Sequence, residues 1–98
     1  MTRDTAPPLT AIGDVTWRRR VRVKGRVRSL RVQPWSGINT LELVLVDDTG
    51  GISVVFLGRR HIPGITLGRS MVVEGMAGEH RGYLAIVNPA YELLAEGS

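Results

Sequence analysis

Arg20, Arg22, Lys24, Arg26 and Arg28 recur at every second position of the run RRRVRVKGRVRSLR, residues 18–31. The run holds eight basic side chains and no acidic one. Val21, Val23 and Val27 alternate with the cations, and Gly25 is in phase with the valines. A period of two is that of a strand, so the cations share one face and the valines the other. Outward residues of a strand follow one another at about 6.6–6.8 Å, close to the phosphate repeat of an extended polynucleotide. A row of guanidinium groups at that spacing can follow a phosphate backbone without reading bases. The competing reading is a solvated face in an arginine-rich chain whose one lysine is Lys24. Like charges crowded on one strand cost energy that a mixed surface avoids. That favours a binding strand.

Other candidates for the same chemistry fall in expected loops. Trp35 stands between Pro34 and Ser36-Gly37. There it is either a stacking platform, worth about 1–3 kcal/mol per base, or a plug over one end of the fold. Arg59 and Arg60, and the pair His80 and Arg81, are placed to extend the basic surface. Trp17 is expected to be structural. Catalytic patterns are missing: Asp47-Asp48 belongs to a D-D-T-G turn, and His61 and His80 have no ligand-spaced partners. Neither a nucleophile elbow nor a phosphate-cradling glycine loop is present. The chain has no cysteine, hence no disulfide and none of the usual structural zinc sets. The sequence predicts a binding protein, with no enzyme activity, cofactor or metal.

The elements that must carry these residues are short and β-rich. A chain of 98 residues is expected to form one domain with one small core. Net charge is +4; outside residues 18–31 there are five basic and nine acidic residues, so one stretch supplies the positive excess. No apolar run approaches the roughly 18 residues of a membrane span. The start MTRDTAPPLT has no signal-peptide core, and a cytoplasmic protein is expected. Residues 1–12 read as a flexible tail and 13–95 as the domain. A long first strand, bent at Gly25, leads into a QPWSGIN loop. Strands over 40–47 and 52–57 follow, joined by a DTGG turn with glycine at positive φ. After a short connector or single helical turn, strands over 70–77 and 83–87 flank GEHRG, and Tyr91 with Leu93 or Leu94 packs at the end. Five strands of this kind predict an all-β, closed Greek-key barrel of OB type, with an SH3-like barrel as the alternative.

The stretches VKGRV, LELVLVDDTGGISVVF, GRSMVVEG and YLAIVNPAYEL resemble the OB-fold family that includes the anticodon-binding domains of class II tRNA synthetases. They are most similar to the wedge domain of the branch-migration helicase RecG and to small free-standing actinobacterial OB proteins. Carrying the resemblance are Gly25, the turn Leu43, Leu45, Asp47, Thr49 and Gly50, the pair Ile52 and Val54, then Gly68, Val73 and Gly75, and the closing Asn88-Pro89. It implies the OB barrel and nucleic-acid binding across strands two and three, edged by the 1–2 and 4–5 loops. Single-stranded or junction DNA is the expected ligand, with RNA as a further possibility.

One departure from the family stands out. Glu42, Val44, Val46, Ser53, Val55 and Leu57 take the outer positions of strands two and three, with no aromatic among them. Val44, Val46, Val55 and Leu57 instead predict an exposed apolar patch. Such a patch fits a homodimer or a protein partner, which is the alternative function, unless the tail with Leu9 and Ile12 covers it.

Overall fold

The computed structural model describes residues 7–95, the side chain of Trp35 excepted. Six strands follow one another: β1 (Arg20–Trp35), β2 (Ile38–Asp47), β3 (Gly50–Leu57), β4 (Ser70–His80), β5 (Tyr83–Val87) and β6 (Ala90–Leu93). β1 pairs with β2, β2 with β3, β3 with β5 in parallel, and β5 with β4. β4 returns to β1 and closes a ring of five. This is the expected OB barrel. Among the described residues no helix is long and apolar enough to cross a membrane.

Alternation in the sequence becomes the barrel wall. Val21, Val23 and Val27 of β1 face inward with Leu41, Leu43 and Leu45 of β2 and Ile52, Val54 and Phe56 of β3. Met71, Val73, Ala77 and Ile86 complete the core from β4 and β5, and Ile62 and Ile65 of the connector close one end. The connector holds no helix; its backbone bonds Ile65 N–H to Ile62 O and Arg69 N–H to Thr66 O are single turns.

β1 is long because it serves two neighbours. Its first half pairs with β4 and its second with β2, and Arg26 sits at the crossover, opposite both Ser70 and Val46. The strands approach so closely here that a Cβ on Gly25 would lie 2.6 Å from the Val46 carbonyl oxygen and 2.9 Å from Leu45 Cγ. Glycine at the bend is a packing requirement. A bulge follows: Val27 pairs with Leu45 but Ser29 with Val44, leaving Arg28 as the extra residue. Leu30 thereby packs against the core, Val32 shares its face but stays exposed, and Ser29, Arg31 and Gln33 turn to the other face.

Four local expectations are corrected. The QPWSGIN loop is strand instead, apart from Ser36 and Gly37, whose φ values of 51° and 78° make a two-residue turn with both residues left-handed. Arg81 and Gly82, at 56° and 85°, repeat that device between β4 and β5. In the β2–β3 turn neither Gly50 nor Gly51 has positive φ. Asp47 holds it instead, accepting from the Thr49 N–H and hydroxyl and the Gly50 N–H. Finally, the C-terminal segment is a true strand, β6, added to β4 beside β5, with Tyr91 edge-on to Phe56 at 5.6 Å.

The expected tail lies partly outside the described residues. Within them, Leu9 bridges Arg22 and Ile12 enters the core in a short 3-10 turn (Ile12–Asp14). Ile12 thus packs into the core, with its N–H on Asp47 of β2, and Leu9 lies against β1. Trp17, expected to be structural, is half exposed.

Candidate nucleic-acid interface

The outward cations of β1 divide into two groups. Arg20 and Arg22 stand opposite Met76 and Glu74 of β4. Arg20 Nη2 donates to Glu74 Oε2 at 3.1 Å. Arg22 lines a recess with Glu74 and with Glu92 of β6. This end of the row is balanced by acids that strand pairing brings alongside, a balance invisible in a run without acidic residues. Lys24, Arg26 and Arg28 are exposed, and among the described residues no ion pair or hydrogen bond engages their side chains. Lys24 and Arg26 share a recess with Asp47 and Asp48, but Asp47 spends its oxygens on its own turn and on the Ile12 N–H at 2.9 Å. The available positive row is therefore shorter than the sequence run.

Beyond the bulge the same strand enters a cleft of about 450 Å³ on the outer face. Arg31 and Gln33 of β1, Glu42 and Val44 of β2, and Ser53 of β3 form its floor and one wall. His80, Arg81 and Tyr83, from the β4–β5 hairpin, form the other. Glu42 is its centre and is only 9% exposed. Its carboxylate lies 3.4 Å from Arg31 Nη2, 3.4 Å from His80 Nε2 and 3.5 Å from Arg81 Nη1. Arg81 also donates to Gln33 Oε1 at 2.6 Å. A carboxylate buried this far needs such partners. In return it fixes two guanidinium groups whose side chains remain 63% and 37% exposed. Tyr83 is 67% exposed at the rim, an aromatic platform beside fixed cations.

Of the expected site residues, His80 and Arg81 meet in this cleft, although His80 is itself buried. Arg59 and Arg60 lie apart, exposed in the connector. The Trp35 side chain falls outside the described residues; its backbone pairs with Ile38 at the tip of the β1–β2 hairpin. The apolar patch does not form as expected. Val55 is fully buried, Val44, Val46 and Leu57 are half-buried, and Glu42 and Ser53 stand opposite Val55 and Val44 in the register. The physical reason is the β4–β5 hairpin: β5 pairs with β3 beside Val55, and His80 and Arg81 reach Glu42 of β2.

Arg31, Gln33, Glu42, Ser53 and Tyr83 were not singled out for this role by sequence. Arg31 and Gln33 change phase at the bulge, and Glu42 matters only through partners distant in the chain. Tyr83 was the legible one: an aromatic directly after an Arg-Gly turn, at the edge of the expected binding face.

No protein-family model matches the chain, and no curated protein matches it. Similar solved structures are OB folds. The OB domain of MM0293 from Methanosarcina mazei superposes with a TM-score of 0.71 at 25% identity, covering 94% of this chain and 88% of that one. The second OB-fold domain of replication protein A from Methanococcus maripaludis gives 0.71 at 16% identity, over 93% and 98%. RecG bound to a three-way DNA junction gives 0.75 at 18% identity; the match takes 96% of this chain but 13% of RecG.

Proposed function

We propose that the protein binds nucleic acid through its backbone, with little sequence preference, and that its ligand is a single strand or the single-stranded part of a junction. One observation carries this reading. The cleft on the outer face of β1, β2 and β3 presents Arg31 and Arg81, both held by Glu42, beside the exposed ring of Tyr83. Fixed guanidinium groups suit phosphates, and an exposed ring suits a base of any identity. Along β1 the unpaired cations Arg28, Arg26 and Lys24 continue the track away from the cleft. The similarity in fold to RecG, whose structure holds a DNA junction, supports the same reading.

The test is anisotropy of a labelled oligothymidylate at two salt concentrations, with duplex DNA and RNA of equal length as competitors. Binding that weakens steeply with salt and prefers the single strand is expected. Arg81→Glu should abolish it. Because the change also sets a second carboxylate beside the buried Glu42, the melting temperature is expected to fall, and binding is read at a temperature where the variant is still folded. Full retention of binding by that variant would remove the cleft from the interface.

A further inference from the structure

A second groove, of about 330 Å³, lies where the β1–β2 hairpin extends past the connector. Its walls are aliphatic: Leu30, Val32 and Leu41 from the hairpin, Ile62 and Ile65 from the connector. Val32 is 44% exposed there, so the groove is open to a ligand. Arg31, Arg60 and His61 rim it, and no acidic residue lines it. Arg60 and its neighbour Arg59 are exposed, and among the described residues neither has a hydrogen-bond or ion-pair partner. The groove also borders an open strand edge. β1 leaves β4 after Arg26, and Val27 makes its last bonds on that side, to Arg69 and Gly68. From Arg28 to Trp35 its strand partner among the described residues is β2 alone.

From these features we infer that the groove binds an extended acidic segment of a protein partner, added as a strand along β1. The open edge offers backbone donors and acceptors in strand register, and alternate side chains of an added strand point to one side. Apolar side chains at every second position would enter the aliphatic groove. Acidic residues between or beside them would meet Arg31, Arg59 and Arg60. Charge complementarity thus selects the sign of the partner, and the walls select its class. A nucleobase gains most from stacking on an aromatic ring, which these walls lack, whereas a leucine-sized side chain is matched by them. The groove shares Arg31 with the nucleic-acid cleft on the outer face of the same hairpin, while its apolar walls and Arg60 belong to it alone.

The experiment uses the full chain and three fluorescein-labelled peptides of equal length. One alternates leucine and aspartate, one leucine and lysine, and one serine and aspartate. The leucine–aspartate peptide should bind about tenfold or more tighter than either of the others. Val32→Asp places a charge at the groove mouth and Arg60→Glu reverses its rim. Each should weaken that peptide by about tenfold or more, while both leave oligothymidylate binding unchanged. Both positions are exposed enough to be altered without unfolding the barrel, and unchanged melting temperatures check this. Equal binding of all three peptides, no binding at all, or full binding by both variants would overturn the inference. So would loss of oligothymidylate binding in Val32→Asp, because the groove would then belong to the nucleic acid.

Discussion

At the scale of single residues, two side chains separate structure from function. Asp47 serves the fold. Desolvation pushes its carboxyl up, but bonds from the Ile12 N–H, the Thr49 hydroxyl and N–H and the Gly50 N–H outweigh this and hold its pKa below the ordinary 3.8. A carboxyl more acidic in the folded than in the unfolded chain adds stability above the unfolded value, and that stability is lost as pH falls through the folded value. Asp47→Asn should therefore lower the melting temperature at neutral pH, with the gap to wild type narrowing below about pH 4. A gap that stays constant from about pH 7 to about pH 2.5 would show that the charge contributes nothing. Tyr83 serves the ligand. With its ring 67% exposed, Tyr83→Ala should leave melting unchanged and weaken oligothymidylate binding by about 1–3 kcal/mol, and Tyr83→Phe should restore it. Equal affinities for all three proteins would mean that no base stacks there.

At the scale of elements, the barrel was legible wherever one residue's environment depends on its immediate neighbours in the chain. Valines alternating with cations gave the inward face of β1, and the mid-strand glycine marked its bend. Gly25 can be tested directly. Its missing Cβ would meet a backbone oxygen at 2.6 Å, which cannot move aside cheaply, so Gly25→Ala should cost roughly 1–3 kcal/mol. Gly78 of β4 is the control, since a Cβ there meets nothing within 4 Å, and Gly78→Ala should be neutral or slightly stabilising. Similar losses for both would mean that the crossover is looser than described. What the sequence hid depends on pairing. The bulge at Arg28 is a mismatch between two strands, so the phase change that turns Arg31 and Gln33 outward has no local mark. The Ser36-Gly37 turn was masked because Ser-Gly is a weaker signal than Asn-Gly, whereas the β4–β5 hairpin was legible across GEHRG, with a tighter turn than the five residues suggest. β6 is only four residues long and is a strand because β4 offers an edge beside β5. The Glu42 cluster bonds residues as far as 48 positions apart, Gln33 and Arg81, and only the closed barrel assembles it.

At the scale of the whole molecule, the question is how much of the basic run faces a ligand. By sequence it is continuous; in the barrel, Glu74 and Glu92 flank its first part. The middle part, Lys24, Arg26 and Arg28, makes no ion pair among the described residues, although Asp47 and Asp48 line one recess with Lys24 and Arg26, and the last part passes into the cleft through Arg31. Electrostatic attraction to a polyanion follows the net field, so cations already balanced by acids contribute little. About four phosphate contacts at roughly 0.7 released counterions each give a log–log salt slope near −3 for a single strand. Replacing Lys24, Arg26 and Arg28 together by alanine should reduce that slope by about 2 if each contacts one phosphate. Replacing Arg20 and Arg22 should change it far less. All five side chains point away from the core, so neither set should alter the melting temperature by core disruption. If the two sets weaken binding equally, the ligand tracks the full length of β1 and displaces Glu74 from Arg20. If neither set has an effect while Arg81→Glu does, the strand is solvent-facing and binding is confined to the cleft.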